Sequence, residues 1–157
     1  MDQKEFQNTL PKKRLSAGML LFDEGGQLLV VEPAYKETWE IPGGVVEANE
    51  PPRQTAIREV AEELGLYCEP VRLLGVDYSG ESDSRTESLN FIFQGPVLSA
   101  ADIASIRLRE GELRSYRLLP PKKATKLLNK KLRRRVRRCL KVVGKKRTLY
   151  MEEQRPI

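Results

Sequence analysis

The sequence predicts an α+β fold, a mixed sheet held between helices in an α/β/α sandwich-like arrangement. Two observations lead there. Strand-like apolar runs recur at LSAGMLLF, QLLVVE, PVRLLGVDYSG, ESLNFIFQG and ELRSYRLL, with polar or Gly-containing turns between them. One amphipathic helix pattern interrupts the strands and a second, longer one follows the last of them, the order expected of layered α and β structure.

Taken in chain order, residues 1–13 are polar and are expected to be a flexible, loosely held segment. Residues 14–150 are expected to form a single domain. The first two strands face each other across DEGG, a hairpin turn. PAYKETWEIPGG reads as loop and short strand, and Pro42-Gly43-Gly44 turns the chain sharply. Pro51 and Pro52 suit the first turn of a helix that runs to about Leu64, with Gly65 as its stop. Two further strands flank the polar turn ESDSRT, and ELRSYRLL is another. Pro120-Pro121 then opens a basic helix over about 121–143.

Composition removes several kinds of chemistry. The chain has no histidine, which excludes a His-activated nucleophile and a His-ligated zinc. Its two cysteines, Cys68 and Cys139, form no metal-like pair, and a reduced cytoplasmic protein is the plain reading. No apolar run approaches the ~20 residues that cross a bilayer, and the N-terminus has no apolar signal core, so no membrane association is expected.

Charge is divided along the chain. Residues 1–112 hold 11 Lys and Arg against 20 Asp and Glu, whereas residues 113–151 hold 16 basic residues and no acid. The basic balance therefore describes the tail, and the body is acidic. On a helical wheel the tail's apolar residues, Leu128, Leu132, Val136 and Cys139 among them, fill one arc and its cations the other. A helix docked by its apolar stripe with a solvated basic face accounts for this. A nucleic-acid surface, a steering field for polyphosphates, or a contact with another subunit in a homodimer are the other readings.

The acids of the body are concentrated in REVAEELGL, Arg58 to Leu66. Glu62 and Glu63 fall about 60° and about 40° to either side of Glu59 on a wheel, while Ile57, Val60, Ala61 and Leu64 share the opposite face. Like charges so placed repel by a few tenths of a kcal/mol per pair, so a solvated acidic face is the simplest account and a site the informative one. The residues upstream decide for a site. Gly44 stands six positions before Glu50, and Glu50 eight before Arg58; Glu59, Val60, Glu62, Glu63, Gly65 and Leu66 follow in fixed spacing.

This resembles the Nudix box, G-x5-E-x7-R-E-U-x-E-E-x-G-U with U aliphatic, matched at all nine specified positions over residues 44–66. The layout of strands and helices over about 14–143 is similar to the Nudix fold. The resemblance implies a pyrophosphohydrolase that cleaves a nucleoside diphosphate linked to another moiety and depends on Mg²⁺ or Mn²⁺. It implies Glu59, Glu62 and Glu63 as metal ligands with the carbonyl of Gly43, and Glu47 as a candidate for a second metal. It implies that Glu50 pairs with Arg58 to hold the acids in place, and that Gly44 and Gly65 are structural. The carboxylate that activates water is Glu59 or a loop acid, Glu112 with Glu110 as its neighbour. The chemistry agrees: an acidic site holds an acidic diphosphate only through hard cations, which suit carboxylates and water.

The substrate is less sharply marked. The proline that ADP-ribose enzymes of this family carry past the box is replaced here by Glu81 and Ser82. A nucleoside di- or triphosphate or a related small nucleotide remains. Trp39 is expected at the pocket rim, with Tyr35 beside it; Phe91 and Phe93 alternate on a strand and read as core. Arg14 and Lys36 are candidate phosphate contacts. The rival reading is a family member that acts on or binds RNA through its basic C-terminal helix.

Overall fold

Strand β1, Arg14–Leu20, sets the plan of the molecule, because successive side chains of a strand face opposite ways. Met19 belongs to one apolar core and Leu20 to the other. In this computed structural model, which describes residues 1–157, β1 lies second in a six-stranded mixed sheet. The strands are β3 (Gly43–Val45), β1, β5 (Ser88–Gln94), β4 (Arg72–Ser79), β7 (Leu149–Glu152) and β8 (Arg155–Pro156), in that spatial order. The β1–β5 and β4–β7 pairs are parallel and the others antiparallel.

Helix α2, Pro52–Leu64, covers one face through Ala56, Val60 and Leu64 against Met19, Leu21 and Phe93. Helices α4 (Pro121–Lys126) and α5 (Lys130–Leu140) cover the other, where Leu128, Val136 and Cys139 meet Leu20, Leu74 and Ile92. Two helical layers on one sheet make the α/β/α sandwich. Strands β2 (Leu28–Pro33) and β6 (Leu113–Leu119) form a separate antiparallel pair. A short helix α3, Ala100–Ala104, is capped by Ser99.

Several boundaries differ from the sequence expectation. Within residues 1–13, expected to be loosely held, Gln3–Thr9 forms helix α1, fixed locally by a capping box between Asp2 and Glu5 and exposed on all sides. The basic segment is two helices, because Asn129 stands at the break and its side chain accepts from the N–H of Leu132. The DEGG turn does connect β1 to β2, but β2 leaves after one bridge, Phe22 to Leu28, and pairs with distant β6. The expected domain end at residue 150 falls inside β7, which with β8 extends the sheet to Pro156. Helix α5 packs close over β4: a Cβ on Gly75 would lie 3.0 Å from Cys139 Sγ and 2.9 Å from Met151 Cε.

Candidate active site

Helix α2 brings the box together. Pro51 and Pro52 open it, and Gly65 closes it in the left-handed conformation, φ 71°, donating its N–H to the carbonyl of Ala61. With its apolar side on the sheet, the acids are turned to the edge formed by β3.

One arginine ties loop to helix. Arg58 forks onto Glu50, Nε to Oε2 at 2.7 Å and Nη2 to Oε1 at 3.0 Å. Glu50 also accepts from Thr55 Oγ1 at 2.5 Å and from the N–H of Glu47 at 3.2 Å. The Arg58 and Thr55 hydrogen bonds hold its carboxyl well below the usual range, at about 2. The other end of the guanidinium reaches Glu59 at 2.9 Å, Glu62 at 3.3 Å and the carbonyl of Val45 at 3.3 Å. Arg58 therefore binds the acids to the strand they face.

Gly43 and Gly44 form a seam with no room for side chains. A Cβ on Gly44 would come within 2.4 Å of the Glu59 carboxylate, and one on Gly43 within 2.5 Å of the carbonyl oxygen of Ala17. Glu63 is 7% exposed and accepts the N–H of Gly43 at 3.2 Å. Burial, then the neighbouring Glu59 and Glu40, push its carboxyl up to about 9, against the Gly43 hydrogen bond that lowers it. A buried carboxyl shares this seam with a second carboxyl, that of Glu59.

The remaining acids are arranged less tightly. Glu62 is drawn away to Arg58 and to Arg109, each at 3.3 Å, and Arg109 also pairs with Glu112 at 3.4 Å. Glu112 is thus connected to the acidic helix through Arg109. Glu110 is exposed, and Glu47 is two-thirds exposed, 3.7 Å from Arg58. Sequence reasoning missed Arg109. Its N–H donates to the carbonyl of Glu63, and that of Arg107 to Leu64, so their loop satisfies the last carbonyls of α2. It also missed Glu40, whose charge acts on Glu63 and Tyr35 and which pairs with Lys36. Its position just before Ile41-Pro42 was the available signal.

On the other side of the seam a cavity of about 500 Å³ opens across the sheet face that α5 leaves uncovered. Along β1 that face turns from Leu20 through Gly18 and Ser16 to Arg14, and along β5 from Ile92 through Asn90 to Ser88. Apolar positions face the helix and polar ones the cavity. Tyr35 and Lys36 stand at this cavity, and Tyr35 is 74% exposed. Trp39, expected at the rim, is instead in the core at 8% exposure, packed with Leu128 and with Arg117 5.0 Å over its ring. It offers no face for a base. Phe93 is buried on the α2 side, with Phe91 packed there at partial burial.

No three Asp, Glu, Cys or His side chains converge as a finished metal cage; Glu62 pairs with Arg58 and Arg109. The donor set nevertheless suits a hard cation. Glu59 and Glu63 are adjacent at the seam, and Glu63 is buried with no cation paired to it. Two carboxylates with places left for water are what Mg²⁺ accepts, and a +2 charge there would favour the ionised form of Glu63.

Comparison with known proteins identifies the family. Residues 12–141 match the family model of the NUDIX domain. An RNA pyrophosphohydrolase of Hydrogenovibrio crunogenus is 37% identical over 62 residues, 40% of this chain and 38% of that protein. The 8-oxo-dGDP phosphatase NUDT18 of Mus musculus is 33% identical over 113 residues, 70% of this chain and 35% of that protein. The crystal structure of a MutT protein from Methanosarcina mazei superposes with a TM-score of 0.70 at 23% identity, covering 87% of this chain and all of the other, a likeness of fold. The chain spans less than half the length of the curated relatives it matches. With the model matched over most of the chain and the box complete at the seam, the chain belongs to the NUDIX domain family.

Proposed function

We propose that the protein is a pyrophosphohydrolase that uses Mg²⁺ or Mn²⁺ to cleave a nucleoside diphosphate linked to another moiety, a nucleoside di- or triphosphate or similar small nucleotide. The observation that supports this most is the seam at Gly43–Gly44, with buried and Arg-held carboxylates on one side and a polar cavity on the other. Glu59 and Glu63, with Glu62 and the carbonyl of Gly43, would hold the metal, and Glu47 a second ion. Bound metal supplies the positive charge that neutralises the phosphates and makes water a better nucleophile.

The chain's own groups do the rest. Arg58 orients Glu59 and Glu62 through one guanidinium fixed by Glu50. The proton from the attacking water passes to a carboxylate, since the chain has no histidine. Glu59 is the candidate at the seam. Glu112 is the alternative, reached through Arg109. Tyr35 and Lys36 stand where the substrate would enter the cavity. A cytoplasmic setting is supported by two free, buried thiols, which burial pushes up to about 11 in Cys68 and about 12 in Cys139.

The rival, an RNA-directed protein reading its target through the basic helix, is weakened by where the arginines of α5 go. Arg133 donates to the carbonyls of Thr125, Lys126 and Leu128, and Arg137 to Thr125 Oγ1. A panel of nucleoside di- and triphosphates and diphosphate-linked nucleotides, run against 5′-triphosphorylated RNA with Mg²⁺ and products resolved by mass, tests the choice. Release of phosphate or pyrophosphate from a small nucleotide is expected. Turnover of RNA alone would replace this reading with its rival.

A further inference from the structure

The cavity has a second end, and its charge is opposite to that of the seam. Arg14, Arg85, Lys131 and Arg135 line it, and the side chains of the first three have no carboxylate partner. The sheet register places them together. Arg14 pairs with Ser88, and Ser88 with Ser79, across β1, β5 and β4. Arg85 closes the turn between β4 and β5 through the Ser82–Arg85 bridge. Lys131 and Arg135 are one turn apart on α5, hence on one face.

Arg135 is set in place from beneath. Its Nε donates to Asp77 Oδ2 at 2.8 Å and its Nη2 to Ser79 Oγ at 3.3 Å. Asp77 is wholly buried, and it accepts as well from the backbone N–H of Gln154 at 2.9 Å and its side-chain amide at 3.1 Å. The β7–β8 turn thereby holds Asp77, and Asp77 holds the guanidinium, leaving further N–H groups of Arg135 for the cavity. A wholly buried carboxylate with three donors from two elements is a costly arrangement to keep for a solvated surface arginine.

This end is too remote to serve the diphosphate at the seam. From β3 to β4 is three strand spacings, about 14 Å, and from Gly18, the partner of Gly43, to Arg14 is four residues along β1, about 13 Å. Resting on the function proposed above, we infer that this corner is an anion subsite, and that the substrate carries a second phosphate set apart from the cleaved diphosphate by the length of a nucleoside. A phosphate on the ribose of a free nucleotide and the first phosphodiester of an oligonucleotide share this chemistry.

Calorimetric titration separates the possibilities without relying on turnover. The probes are adenosine 5′-monophosphate, adenosine 3′,5′-bisphosphate and the 5′-phosphorylated dinucleotide pApA, at one fixed salt concentration. A hydrogen-bonded charge contact corresponds to about tenfold or more in Kd. The inference requires that gain for the bisphosphate, the dinucleotide, or both, over the monophosphate; the tighter of the two names the source of the phosphate. Arg85→Gln and Lys131→Gln, both exposed and safe for folding, should each lower the ratio toward one, and Arg135→Gln should lower it furthest. Equal affinity for all three probes, or a ratio untouched by all three substitutions, overturns the inference. Failure of every nucleotide to be hydrolysed, with the ratio intact, would instead overturn the hydrolase reading and leave the subsite standing.

Discussion

Helices α2 and α5 each carry a block of like charge, and they use it in opposite ways. On α2 the carboxylates are gathered at one edge, where Arg58 holds Glu59 and Glu62 and the Gly43 N–H meets Glu63. On α5 the cations are dispersed. Arg133 satisfies carbonyls at the end of α4, Arg137 meets Thr125, Arg135 locks onto buried Asp77, and Arg134 and Arg138 are exposed and unpaired. A count of charges would rank α5 as the interaction surface. A buried carboxyl with no cation of its own, set beside a second carboxylate at a seam, is the better mark of chemistry, because it is the arrangement that folding alone would not favour.

The largest effect should come from the seam. Glu63→Gln and Glu59→Gln keep shape and remove charge, and each should cut Mg²⁺-dependent turnover by about 10²–10⁴-fold. A metal titration distinguishes the roles: a ligand is partly rescued by excess Mg²⁺, whereas the base is not. Wild-type rates in both variants would reduce α2 to a solvated acidic helix, with no more chemistry than α5. Next comes Arg58→Ala, which leaves Glu50 without its main partner, frees Glu59 and leaves Glu62 to Arg109 alone. It should lower Tm by several degrees and weaken metal binding, read by thermal melts with and without Mg²⁺. Unchanged Tm with lost activity would move Arg58 from the scaffold to the substrate.

The pH dependence is smaller and has a defined sign. Glu63 titrates at about 9 in the metal-free fold against an ordinary 4.5, so between those values the native state binds more protons than the unfolded chain. Metal-free stability should therefore fall as pH rises through that window, and Glu63→Gln should flatten the fall. Melts in chelator from pH 5 to 9 measure it; parallel curves for the two proteins would remove the buried-carboxyl argument. The smallest effect belongs to the outer face of α5. Arg134→Gln with Arg138→Gln should leave small-nucleotide turnover within about a few-fold, and any nucleic-acid binding should be weak and fall steeply with salt. A large loss of turnover would bring the two helices into one site.

The geometry of the candidate site was more legible in the sequence than its surroundings. The box could be read because its spacing is local: helix pitch alone puts Glu59, Glu62 and Glu63 on one face, and Gly65 marks the stop. The layer order followed from the same periodicities. What could not be read depended on distant partners. Strand β2 departs from its hairpin because β6, some eighty residues later, completes it. Trp39 looked like a rim residue from its place before Pro-Gly-Gly, yet Leu128 on the far side of the sequence covers it. Arg109 had no motif, since its work is done through its backbone and through carboxylates of another element. The break in the basic segment was signalled by Asn129, a cap residue inside an otherwise continuous helical pattern.

The loop hydrogen-bonded to the end of α2 constrains how the site can move. The N–H groups of Arg107 and Arg109 are bonded to the last-turn carbonyls of Leu64 and Glu63, so releasing that loop also unsatisfies the helix end. Amide hydrogen exchange should therefore find Arg107, Arg109 and the final turn of α2 opening together. Glu112, three residues beyond Arg109 and bonded to it by its N–H at 3.3 Å and its carboxylate at 3.4 Å, is tethered to that helix end.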